Sequence, residues 1–245
     1  MWVTTYWKGI EYFDKGTGHF SHYNTATVPG LASDNIWTVA DGGNGKLYIG
    51  HVHHGFSILS IKDKKVRNFV HDPNNRNSLP GNEVRCVYKD MNHNIWVGTN
   101  KGLALFNPES ENFIQFNSDG NLSHYIYDIR QLDGNKLWIA MEFGGIAIMD
   151  LSQRLFLLPE QTQFHYIREG DDGYSLSNSS ARCIFQDSFK NIWTGVWGGG
   201  INFLSYEPPL FSGYYYSPNQ NSMSRLNNKT ASSICVDSQG KLWIG

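Results

Sequence analysis

Arg85 and Arg182 stand at one position of a recurring pattern, each eleven residues ahead of a strand tryptophan, Trp96 or Trp193. Trp37, Tyr127 and Ser232 occupy the same position in other copies. A guanidinium is a planar fork of donors, so two of them at one level of a repeating structure can clamp a carboxylate or sulfate. The alternative is an ion pair with an acid of a neighbouring unit. A second group lies just after each aromatic: Tyr6, Trp7 and Lys8, then His53 and His54, Asn100 and Lys101, Glu142 and Phe143, and Trp197. Large rings at hairpin tips suit the apolar C–H faces of sugars. They could also fold down onto their own unit. The candidate ligand-binding set is therefore Trp7, His53, Phe143, Trp197, Arg85, Arg182 and Tyr127.

Other chemistry finds little footing. His51 and His53 in HVHHG alternate as ligands on one strand face would, but no third ligand or supporting carboxylate accompanies them, so a surface or turn role is expected. GVWGGG lacks the Lys-Ser/Thr and the strand-to-helix setting of a phosphate loop and reads as a tight hairpin. No nucleophile elbow or zincin motif occurs. No catalytic residue, metal site or cofactor is assigned. Asn121, Asn178 and Asn228 head Asn-x-Ser/Thr triplets, which matter only in a eukaryotic secretory pathway.

The chain has 245 residues, 40% hydrophobic and 14% aromatic, enough for a sizeable core. Its 20 basic and 22 acidic residues form no basic run, which sets aside nucleic acid and anionic membranes as partners. No apolar stretch is long enough to span a membrane, and MWVTTYWKGI has no signal-peptide character, so an export signal would have to lie upstream. Three cysteines make no disulfide framework. Cys86 and Cys183, each ten residues before a tryptophan, are expected to be buried free thiols.

The positions that carry this chemistry imply a repeat. Aromatics at Trp2, Tyr48, Trp96, Trp138, Trp193 and Trp243 recur at spacings of 42 to 55 residues, the range of four-stranded propeller blades. Twelve and nine residues before each complete copy stand apolar pairs, from Ile36 and Val39 to Ala231 and Ile234. Asp90, Asp187 and Asp237 open a turn six residues before the aromatic, closing through Gly or Asn, which tolerate left-handed backbone. A second hairpin follows at Gly9, Gly55, Gly102, Gly145 or Gly200, and then a fourth strand in HFSHY, VRNFV, NFIQF and QFHYI. Each unit is thus a meander of four short strands, with no amphipathic helical segment in the chain. Such sheets stack as blades, so an all-β propeller is predicted, with the repeated aromatics as wedges between blades. Twenty-one strand places against the twenty of a closed five-blade ring point to a segment of a larger ring, with a closed five-blade ring as the alternative and self-association expected from the surplus edge. The innermost strand should line the channel. The turns after the aromatic and the linkers between units should share one face, the elaborated one.

The linkers HDPNNRNSLPGNEV, REGDDGYSLSNSSA and SPNQNSMS, in register with V-x-x-V/I, Asp, LW-I-G and GGL/I, resemble the two-component regulator propeller repeat along essentially the whole chain. That repeat belongs to the extracytoplasmic sensor region of hybrid histidine kinases common in gut Bacteroidetes. The resemblance implies a seven-bladed propeller, a periplasmic location, a downstream membrane helix and kinase, and a response to glycans. The expected function is a non-catalytic sensor segment that binds an oligosaccharide. DSQGKLW is also similar to the Asp-box of sialidases, so a propeller glycoside hydrolase or lyase is one alternative, although no nucleophile and acid pair stands out. A protein-interaction scaffold is the other.

Overall fold

The computed structural model describes residues 1–116, 122, 124–132, 134–152, 159–170, 175–206, 215–216, 225–226, 234–239 and 241–244. Ser232, Ala231, Asn121, Asn228 and the linker at 217–224 lie outside the described residues. The chain divides into two units, Met1–Tyr206 and Glu207–Gly245.

The first unit is a row of antiparallel sheets, each made from consecutive strands. Blade 1 is β1 (Trp2–Thr5), β2 (Gly9–Phe13) and β3 (Phe20–Tyr23). Blade 2 is β4 (Ile36–Gly43), β5 (Lys46–His51), β6 (Phe56–Ser60) and β7 (Val66–Phe69). Blade 3 is β8 (Val84–Lys89), β9 (Ile95–Thr99), β10 (Gly102–Asn107) and β11 (Asn112–Phe116). Blade 4 is β12 (Ile126–Leu132), β13 (Lys136–Met141), β14 (Gly145–Asp150) and β15 (Phe164–Ile167). Blade 5 is β16 (Ala181–Gln186), β17 (Ile192–Val196) and β18 (Gly200–Leu204). The expected fourth strands are present in blades 1 to 4. Blade 5 shows three strands among the described residues, not the four of the repeat. The single helical turn described is 3-10, at Pro159–Gln161. In the second unit, β19 (Tyr215–Tyr216) pairs in parallel with β20 (Arg225–Leu226), and β21 (Ile234–Val236) forms a hairpin with β22 (Leu242–Ile244).

Blades stack because both faces of each sheet are apolar. Four clusters fill the gaps: Ile10, Leu47 and Ile49 between blades 1 and 2; Tyr48, Val87 and Phe106 between 2 and 3; Trp96, Ile129 and Leu137 between 3 and 4; Trp138, Ile146 and Ile184 between 4 and 5. Tyr48, Trp96 and Trp138 are the expected wedges. Trp193 and Trp243 are not, being 39% and 60% exposed.

The Asp turn holds more than its hairpin. Asp90 Oδ1 accepts N–H bonds from Asn92 and Asn94 at 2.9 and 2.8 Å, and Oδ2 accepts the Trp96 indole N–H at 2.9 Å. Asp187 and Asp237 do the same for Trp193 and Trp243, at 3.0 and 2.9 Å. One carboxylate thus fixes the turn and orients the strand aromatic. The left-handed residue in two of these turns is His93 or Lys190, not the Asn that follows it. With the side-chain amide of Asn94 or Asn191 also donating to Oδ2, four satisfied acceptor bonds at the Asp outweigh the roughly 1–2 kcal/mol of that conformation. Blade 4 has Leu132 where the Asp would stand, and its buried Trp138 Nε1 has no partner among the described residues.

Strand a, the first strand of a four-stranded blade, is innermost: β4, β8, β12 and β16 touch in that order. Its register breaks once near its start in every case, between Ile36 and Thr38, Val84 and Cys86, Ile126 and Asp128, and Ala181 and Cys183. The unpaired residues of these bulges are Trp37, Arg85, Tyr127 and Arg182. The residue after the bulge presses on the glycine of the W-x-G motif. A Cβ on Gly98 would meet Cys86 Sγ and lie 2.7 Å from Ile126 Cγ2, and one on Gly195 would lie 2.7 Å from Cys183 Sγ. Cys86 is buried as expected, but Cys183 is exposed, because blade 5 has a neighbour on one side only within Met1–Tyr206.

Candidate ligand-binding face

A bulge adds a residue that belongs to no ladder pair and turns its side chain out of the pleat. Here that device places four side chains in a belt around the innermost strands. The Arg85 guanidinium lies 4.6 Å from the Trp37 ring centroid, 4.8 Å from Tyr125 and 5.0 Å from Tyr127. Arg182 lies 3.8 Å from Tyr127 and 5.1 Å from Trp197. Tyr127 is therefore shared between two cations, contacts worth about 0.5–2 kcal/mol each. Burial raises its phenol pKa, against the two arginines.

Each arginine meets one acid through one nitrogen. Arg182 Nη2 donates to Glu142 Oε1 at 2.7 Å, an ion pair from blade 5 to blade 4, and the Tyr127 hydroxyl donates to the same oxygen at 3.2 Å. Arg85 Nη2 reaches Glu83 Oε2 at 3.5 Å, an acid two residues back rather than on a neighbouring blade. His53 Nδ1 stands 3.4 Å from the other Glu83 oxygen. The Nε atoms of both arginines are enclosed and have no partner among the described residues.

The tips join this belt on one side of the blades. Val52, Asn100, Glu142 and Trp197 each donate a backbone N–H to the residue two before the bulge, Asn35, Glu83, Tyr125 and Ser180, at 2.9–3.1 Å. Hairpin tips and linkers therefore share one face, as the meander requires. Gly55 makes the fit possible: its φ is +73°, and a Cβ there would collide with the carbonyl oxygen of Phe69. Trp7, Phe143 and Trp197 are 69%, 73% and 70% exposed, so none folds down onto its blade. Trp7 joins the belt edge-on through Tyr6, at 4.8 Å, and Tyr6 meets Trp37 at 5.4 Å. Phe143, at φ +57°, has its N–H on Ser180 Oγ at 3.3 Å. Sequence reasoning missed Glu83 and Tyr125. Their signal was their place immediately before the apolar start of strand a.

The histidines divide. His53 lies on this face with its side chain 67% exposed. His51, expected at a surface or turn, is wholly buried with Nε2 2.8 Å from Ser57 Oγ, which donates to Asn68 Oδ1 at 2.6 Å. Burial, with His54 nearby, pushes its pKa down to about 4. The pair cannot share a metal, and no cluster of three potential ligands occurs among the described residues.

Fold and face together define a β-propeller with an aromatic and arginine belt at one mouth of its innermost strands. The two-component regulator propeller family matches residues 78–101 and 225–245. In B. thetaiotaomicron, the extracellular domain assigned to a hybrid two-component system superposes with a TM-score of 0.73 at 56% identity, covering 100% of this chain and 30% of that one. Over 86 residues, 32% of this chain and 6% of the relative, it is 30% identical to Histidine kinase P4 of Formosa agariphila. Streptogramin B lyase, at a TM-score of 0.55 and 12% identity over 97% of this chain and 69% of that one, shares the fold alone. The chain thus spans 30% of the extracellular domain and 6% of the kinase it resembles, and its two matched stretches make it similar to the two-component regulator propeller family. No helix among the described residues is long and apolar enough to cross a membrane.

Proposed function

We propose that this chain is a ligand-sensing, non-catalytic propeller segment of an extracytoplasmic two-component sensor, and that its ligand is an oligosaccharide held on the face of tips and linkers. The observation that carries this reading is the continuous run Trp7, Tyr6, Trp37, Arg85, Tyr127, Arg182 and Trp197, with exposed rings at both ends. Exposed aromatics flanking cations match a sugar's alternation of C–H faces and polar rims. The likeness to an extracellular domain of a two-component system at 56% identity supports the setting. Ligand spanning several blades would bias one arrangement of associated sensor chains over another, which is all that signalling requires.

Calorimetric titration with oligosaccharides tests the reading. Trp197→Ala should weaken binding by about 1–3 kcal/mol with little change in melting temperature. A large melting loss with affinity intact would return Trp197 to a packing role. Product chromatography after incubation with the same sugars should show no cleavage.

A further inference from the structure

The belt holds two cations whose donors are mostly unspent. Arg85 and Arg182 each give one Nη2 to an acid, while both Nε–H groups are enclosed and have no partner among the described residues. Two partly exposed guanidiniums with most of their donors unused, at the same bulge position in blades 3 and 5, form a place able to receive acceptors. The acids do not use the guanidinium fork: Glu83 makes one long contact at 3.5 Å and Glu142 shares its oxygen with Tyr127. Both guanidiniums lie within 5.0 Å of the one Tyr127 ring, so a single small group over that ring can reach both. Side chains 22% and 26% exposed leave them accessible from the face while shielding them from full screening.

We infer that the ligand is an acidic saccharide, and that its carboxylate or sulfate is taken between Arg85 and Arg182 above Tyr127. This rests on the oligosaccharide reading given above. Glu142 is then the internal competitor. In the free protein it occupies Arg182, and the ligand's anion draws the guanidinium away from it. A neutral sugar offers nothing to exchange for Glu142 and would bind through the aromatics alone.

The test titrates the chain with three probes of matched length: galacturonic acid oligosaccharides, sulfated chondroitin oligosaccharides and neutral β-galactan oligosaccharides. An acidic probe should bind at least about tenfold more tightly than the neutral one, and 0.5 M salt should erase most of that margin. Arg85→Gln and Arg182→Gln should each cost about tenfold for the acidic probe and little for the neutral one. Because Arg182 also ties blade 5 to blade 4, Glu142→Gln supplies a second variant of opposite sign: it should tighten the acidic probe and leave the neutral one unchanged. Preference for the neutral probe, or acidic binding indifferent to salt and to Glu142→Gln, overturns the acidic inference and leaves the oligosaccharide reading standing. Binding of no probe overturns both.

Discussion

Blades 3 and 5 carry the same local device in opposite surroundings. In each, an Asp carboxylate accepts two turn N–H groups and the indole N–H of the strand tryptophan, with every distance between 2.8 and 3.0 Å. Trp96 is nevertheless wholly buried, whereas Trp193 is 39% exposed. The hairpin and its oriented indole therefore do not depend on the packing they serve. Short-range bonds set the ring's direction, and burial against the next blade supplies the hydrophobic stabilisation afterwards.

The largest expected effect breaks that separation directly. Trp96→Ala should cost about 3–5 kcal/mol in denaturant unfolding, while Trp193→Ala should cost about 1 kcal/mol or less. Equal costs would mean that another surface covers Trp193 in solution. Glycines give the next contrast. Gly55 and Gly200 have φ of +73° and +76°, but only at Gly55 would a Cβ strike backbone, since Gly200 has nothing within 4 Å. Alanine should cost about 1–2 kcal/mol at Gly200, from the left-handed backbone alone, and clearly more at Gly55. Identical losses would refute the close approach of strands β6 and β7.

Removing the indole N–H sharpens the role of the Asp. Trp96→Phe leaves the buried Asp90 short of a donor and should cost about 1–3 kcal/mol. Trp138→Phe removes an N–H that has no partner among the described residues and should cost less, offset by the relief of that orphan. The smallest effect is electrostatic. The Trp193 indole bond, followed by bonds from Asn191 and the Phe189 N–H, holds the Asp187 pKa below its ordinary 3.8. The turn's stabilisation is thus fully present above the ordinary aspartate range and is lost as pH falls through the lower folded value. Carboxyl NMR titration should show Trp193→Phe moving the Asp187 midpoint upward, and an unmoved midpoint would separate the indole from the carboxylate.

The same contrast explains what was legible in the sequence. Blades were readable because strand alternation, the Asp turn and the tip glycine are local, and local chemistry is what a repeat preserves from copy to copy. Exposure of Trp193 and Cys183 was not readable, since the sequence pattern of blade 5 is that of blade 3 and only the neighbouring surface differs. Arg85, Tyr127 and Arg182 were found by their shared offset. Their cause, the bulge, was hidden, because one unpaired residue leaves the apolar positions on either side looking regular. Glu83 and Glu142 were hidden for another reason: a carboxylate in a linker or at a tip gives no sign of which cation it will face.

The bulge has a consequence for how such a protein diversifies. A residue inside a ladder is answerable to its cross-strand partner and to the face it shares, so changing its type disturbs a sheet. Trp37, Arg85, Tyr127 and Arg182 answer to neither, because each is the supernumerary member of its strand. An aromatic, a phenol and two cations already stand there at equivalent register breaks. The four positions work like interchangeable type in a fixed frame, and a handful of substitutions can change the side chains this face presents without breaking a ladder pair.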